Sequence, residues 1–280
     1  MRVRNSWLIL VVLTACTSAP RRPAGDSSSG AAVGGQVFRL HSGKKVLLPK
    51  RSDSVDYVFL QGSADLQALN QILAPEDLVA LPGPDNRGSV GVIVAKYNSS
   101  SLGAYQEVLV VISAQSNALK DTGASAGSLP YPMDAIAPPS PYFVWSSYVD
   151  SRLALDVDRE VWGFADAMAT IELNTHTPDW TFRFSAPGKA GLALEGKCGS
   201  CGLAGKQKLP AHFTLISSYA LRRSWVPVEN SGATLVRPYD AAVDTFLPKG
   251  ALAARLKKID FRPYGWFVGE GLSAEAGRGI

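Results

Sequence analysis

The chain has 280 residues, 28 basic against 24 acidic, with three histidines and three cysteines. That balance of charge does not fit a nucleic-acid partner, and three cysteines are too few for a disulfide-built scaffold. His41, His176 and His212 lie far apart without metal-ligand spacing. With no phosphate-binding glycine loop, nucleotide fingerprint or Ser-His-Asp pattern, the sequence implies no metal and no cofactor.

The first segment places Arg2 and Arg4 before an apolar run from Trp7 to Leu13, followed by Thr14-Ala15-Cys16. The run is too short to remain as a bilayer span and reads as a secretory signal. Leu13-Thr14-Ala15-Cys16 resembles the bacterial lipobox, which implies cleavage before Cys16 and acylation there, palmitate included. Thr17 in place of an aspartate implies an outer-membrane address, with the body facing the periplasm. From Thr17 to Gln36 the chain is Ser, Pro, Gly, Ala and Arg without an apolar period, the composition of a tether. The expected division is therefore a signal peptide at 1–15, a lipidated tether at 16–36 and one domain at 37–280. Loss of Arg2 and Arg4 leaves 26 basic against 24 acidic residues.

Strands dominate the body. Val55–Leu60, Val90–Tyr97, Val108–Ala114, Tyr142–Val149, Thr181–Phe184, Phe213–Leu221, Thr234–Val236 and Ile259–Val268 are rich in β-branched and aromatic residues and end at turn formers. Helical spacing recurs in Ala64–Leu73, where Ser63 is a candidate cap, after Pro75, in Ser151–Asp158 and in Lys249–Lys257. Many strands with few helices predict a mainly β fold, its mostly antiparallel sheet closed on itself as a barrel with a few flanking helices. Such a barrel can hold one small ligand. Cys198 and Cys201 form a lone CxxC, which supplies two ligands where a closed zinc site needs four. In an exported protein a loop disulfide is the simplest reading, and a redox-cycling pair is the other.

Two motifs point further. Gly103-Ala104-Tyr105-Gln106-Glu107 precedes Tyr148-Val149-Asp150, which is followed by Asp158-Arg159-Glu160-Val161-Trp162-Gly163-Phe164. In order and spacing these resemble the acetoacetate decarboxylase family, whose members carry Gly-x-Tyr-x-Glu, a Tyr-x-Asp strand end, a short helix and Gly-Arg-Glu-x-Trp-Gly-Phe-Pro-Lys. The resemblance extends over most of residues 50–270 and implies a cone-shaped barrel with an internal site, in a family whose members form homo-oligomers. It also implies a lysine after Gly-Phe-Pro that forms a Schiff base with a ketone, an amine kept neutral by desolvation and neighbouring charge. Here that position is Asp166, which cannot form an imine. Lys96, Lys189 and Lys197 are the displaced lysines considered, none with the flanking pattern.

What the resemblance leaves is Glu107 with Asp166 as an acid–base pair, lined by Tyr105, Arg159, Glu160, Trp162 and Phe164. Two carboxylates in a dry pocket push one pKa upward. The expectation is an envelope lipoprotein whose barrel binds a small, partly apolar carbonyl or carboxylate molecule without Schiff-base decarboxylation. The alternative is acid–base chemistry next to a carbonyl by Glu107 and Asp166.

Overall fold

In the computed structural model, residues 35–280 form one compact unit. The structure describes residues 35–83, 85–117, 141–164, 166–176, 179–186, 189–196, 207–208, 212–219, 222–239, 244–248 and 250–277. The leader, Cys16 and the Cys198/Cys201 pair lie outside them.

Seventeen strands and three α-helices are described. In order they are β1 (Gln36–Arg39), β2 (Lys45–Leu48), β3 (Lys50–Ala64), α1 (Leu66–Leu73), β4 (Leu78–Ala80), β5 (Gly88–Ser100), β6 (Tyr105–Ser116) and β7 (Tyr142–Val149). Next come α2 (Arg152–Val157), β8 (Asp166–Met168), β9 (Thr170–His176), β10 (Asp179–Ala186), β11 (Lys189–Gly196), β12 (Gln207–Lys208) and β13 (His212–Tyr219). The rest are β14 (Arg222–Ser231), β15 (Ala233–Pro238), β16 (Asp244–Pro248), α3 (Gly250–Lys258) and β17 (Arg262–Ala276). The eight expected strands all exist, most of them longer than their apolar centres. The last expected strand begins later, because Ile259 is buried at the end of α3 and β17 starts only at Arg262.

The large sheet closes on itself. Hydrogen bonds run β3–β5–β6–β7–β13–β14–β17, and β17 pairs back to β3. Pairing is antiparallel except at β7–β13 and β7–β8. A second sheet, β16–β11–β10–β9, lies apart, and β1 and β2 pair as a separate hairpin. The sequence did not anticipate either of these.

Period-2 alternation sends side chains to two faces of the sheet. Val58, Leu60, Val92, Val94, Val108, Val110 and Trp266 pack with Phe182, Trp180 and Ile171 of the second sheet, and with Leu69 and Leu73 of α1. The other face carries Tyr105, Leu109, Val111, Val149, Leu215 and Val226 and packs with Leu155, Val157, Trp162 and Phe164. Helix α1 starts at Asp65, whose carboxylate accepts from the Ala68 N–H at 2.7 Å, so Asp65 rather than Ser63 is the cap.

Candidate functional site

Helix α2 opens at Ser151, whose hydroxyl accepts from the Ala154 N–H at 3.4 Å. The helix then widens into a π-helical turn over Asp158–Trp162. Gly163 ends it at φ 72°, a left-handed conformation that explains the glycine between Trp162 and Phe164. The Phe164 N–H donates back to the Asp158 carbonyl at 2.9 Å. Trp162 is fixed at both ends: its indole N–H donates to the Gly277 carbonyl at 2.8 Å, and its own carbonyl accepts from the Ser217 hydroxyl.

Tyr105 and Glu107 are two residues apart on β6 and so share a face, and Tyr97 of β5 is the cross-strand partner of Tyr105. The two tyrosine rings stack at 4.4 Å. The Tyr97 hydroxyl donates to the Glu107 carboxylate at 2.9 Å. Between these groups stands Lys50, the first residue of β3 and almost wholly buried. Its Nζ donates to the Tyr105 hydroxyl and lies 3.6 Å from the Tyr97 ring centroid, 4.8 Å from that of Tyr105 and 5.5 Å from that of Trp162. Asp158, also buried, acts on both Lys50 and Glu107 through its charge.

Lys50 reaches this face through an irregularity in its strand. From Val55 onward the residues facing Tyr97 and Ala95 are Val55 and Tyr57, odd in number. The pairing with β5 shifts between Ser52 and Val55, and the alternation of β3 inverts there. Lys50 and Ser52 are the buried residues before the shift, and Val55 and Tyr57 the buried ones after it.

Burial dominates the electrostatics. It pushes the Glu107 carboxyl up from 4.5 to about 7, with the Asp158 charge adding to the rise and Lys50 and the Tyr97 hydrogen bond opposing it. Burial likewise lowers the Lys50 ammonium, against the pull of Glu107 and Asp158. Both tyrosines are raised well above 10, burial first, and remain hydrogen-bond donors. The arrangement is an amine inclined to lose its proton beside a carboxyl inclined to keep one near neutral pH, within three aromatic rings.

The expected site residues divide. Tyr105, Glu107, Trp162 and Phe164 come together on one face, Phe164 with its ring 6.0 Å from Trp162. Glu160 is turned elsewhere: its carboxylate accepts from the backbone N–H of His41 at 2.8 Å and stands 2.7 Å from His41 Nδ1, tying the π-helical turn to the β1–β2 hairpin. Arg159 is half-buried on the same turn. Asp166 begins β8, opposite Ser147, and its side chain lies outside the described residues. Among the described side chains, the carboxylate that acts on Glu107 is Asp158, a residue to which the sequence assigned no role. Of the displaced lysines, Lys96 neighbours Tyr97 on β5 and therefore takes the opposite face, while the side chains of Lys189 and Lys197 are outside the description. Nothing in the two motifs points to Lys50. Its visible signal was a lysine followed by Arg51 on the polar lead-in to a strand. Among the described residues no group of three or more His, Cys, Asp or Glu is placed to hold a metal ion.

No protein-family model matches the chain, and no curated protein matches it. Solved structures do. An acetoacetate decarboxylase from Legionella pneumophila superimposes with a TM-score of 0.56 at 12% identity, covering 82% of this chain and 86% of that one. The enduracididine biosynthesis enzyme MppR, complexed with pyruvate, gives 0.53 at 12% identity over 82% and 88%. An acetoacetate decarboxylase-like enzyme from Sphingomonas wittichii gives 0.50 at 12% identity over 83% and 92%. The closed mixed sheet with its few helices is thus the acetoacetate decarboxylase-like fold.

Proposed function

We propose that the chain binds a small, partly apolar carbonyl or carboxylate molecule at the Lys50–Tyr105–Glu107 cluster. The observation that carries the reading is the buried Lys50 amine, set among Tyr97, Tyr105 and Trp162 and facing two carboxyl groups. A buried ionisable group of this kind costs several kcal/mol unless its surroundings or a ligand compensate, and such groups concentrate at functional sites. The amine and the Tyr105 hydroxyl supply donors for an oxygen-rich ligand end, and the aromatic rings supply an apolar wall. The similarity in fold to an enzyme complexed with pyruvate supports a ligand of that size.

The same amine favours a second reading, covalent chemistry. The resemblance to acetoacetate decarboxylases puts Asp166 where that family carries its lysine, and an aspartate forms no imine. Lys50 is a different residue on a different strand. Once deprotonated, its amine would add to a ketone carbon, and the carbinolamine would lose water as the Glu107 carboxyl donates a proton to the departing hydroxyl. Acid–base chemistry without an imine would rest on Glu107 with Asp166, as the resemblance implies, or with the buried Asp158.

Calorimetry with pyruvate and acetoacetate, on the native sequence and on Lys50→Met, tests both readings. Binding that falls at least tenfold in Lys50→Met supports the site. A borohydride-dependent mass gain mapped to Lys50 supports the imine, and binding without an adduct leaves the binding role. No binding by the native sequence to either compound sinks both.

Export and acylation at Cys16, with the body in the periplasm, complete the proposal. The intact chain should fractionate with membranes and Cys16→Ser should not. Equal partition of the two would remove the anchor.

A further inference from the structure

We infer that the outward face of the β1–β2 hairpin is a bilayer-contact surface that seats on anionic phospholipid headgroups. The hairpin has two unlike faces. Leu40, Val46 and Leu48 turn inward and are buried among Tyr105, Trp162 and Val157. Val37 and Leu47 turn outward, 59% and 52% exposed, and are the large hydrophobic side chains left exposed among the described residues. They are direct cross-strand partners. The next pair on the same face is Arg39 with Lys45, both exposed. The face is therefore two branched aliphatic side chains followed by two long basic ones.

Charge is concentrated there. Residues 36–48 carry Arg39, Lys44 and Lys45 and no acidic residue, whereas residues 49–280 hold 21 basic against 23 acidic. The positive character of the body thus resides in this one element. Aliphatic groups at the headgroup–acyl boundary, flanked by cations that extend to the phosphates, are the pattern of an interfacial contact.

Position in the chain favours a membrane over a protein partner. The hairpin is the first described element, and Gln36 follows Cys16 by twenty residues. Even fully extended, twenty residues reach only about 70 Å. An acylated Cys16 would hold this element near the bilayer, where weak contacts act at high effective concentration. To that extent the inference draws on the acylation proposed above, but the composition of the face does not depend on it.

The test uses the chain from Thr17 onward, which retains the compact unit Gly35–Ile280 and lacks both leader and acyl site. It is floated with vesicles of phosphatidylethanolamine, with and without phosphatidylglycerol, at low and at high salt. The expected result is co-flotation with phosphatidylglycerol vesicles that weakens with salt. Val37→Ser/Leu47→Ser and Arg39→Glu/Lys45→Glu should each reduce binding by about tenfold or more, with thermal melting unchanged. Binding that is equal in all variants, or absent from both vesicle types at low salt, overturns the inference. So does a dimer in sedimentation velocity that Val37→Ser/Leu47→Ser converts to monomer without affecting flotation, since the face would then belong to a second copy. Because this chain lacks Cys16, a failure of acylation in cells leaves the vesicle result untouched.

Discussion

Replacing Glu107 by glutamine keeps the shape of the side chain and removes its charge. A carboxyl whose pKa is raised in the folded state binds its proton more tightly there than in the unfolded chain. Its contribution to stability is therefore most favourable below the unfolded value and declines as pH rises through the folded one. With the folded value at about 7 against 4.5, the full loss is on the order of 3 kcal/mol and is complete above about pH 8. Glutamine stands in for the protonated acid at every pH. Glu107→Gln and the native sequence should thus melt together near pH 4.5, and the variant should be more stable at pH 8. A domain of this size shifts by roughly 2–4 °C per kcal/mol, so the gap there is roughly 6–12 °C. Calorimetric melts at half-unit intervals from pH 4.5 to 8.5 measure it. A constant difference across that range, or a variant less stable at pH 8, would refute the assignment of Glu107 as a buried carboxyl titrating near neutrality.

Tyr97→Phe removes the donor to Glu107, which lowers the carboxyl's pKa, so the midpoint of the native pH–stability curve should move upward; a downward shift would contradict the geometry. Glu160→Ala removes the acceptor for both His41 contacts, and amide exchange in β1 and β2 should quicken by about tenfold while melting of the whole unit changes little. Asp65→Ala removes the cap of α1 and should cost about 1 kcal/mol, read as a lower denaturation midpoint at unchanged slope.

The fold was legible wherever strands are apolar. Val90–Tyr97 and Val108–Ala114 name themselves by β-branched content, and they became the centres of β5 and β6. The polar end of β3 did not, because Lys50-Arg51-Ser52-Asp53-Ser54 reads as a loop in isolation and is held in the sheet by pairing with β5 and β17. The site suffered for that reason. Tyr105, Glu107 and Trp162 were visible through their motifs, whereas Lys50 lay in the polar stretch, beyond a shift that inverts the inside-outside pattern. No rule of period two places that lysine beside Tyr97. Asp158 was hidden differently, since a carboxylate at the end of α2 reads as a solvated helix terminus and is instead buried on the face of Ala154 and Leu155.

The hairpin over this cluster is a sheet of its own and forms no ladder with a strand of the ring among the described residues. Lifting it therefore leaves the ring's ladder in place; it breaks the His41–Glu160 tie and undoes the burial of Leu40, Val46 and Leu48 and the packing of Phe38. At about 1.5–3 kcal/mol for each of Leu40, Val46 and Leu48, that opening costs roughly 5–9 kcal/mol, a local opening that leaves the ring intact. Cover and vessel are energetically separate parts of one chain, and a substitution can change how often the first opens without altering the strength of the second.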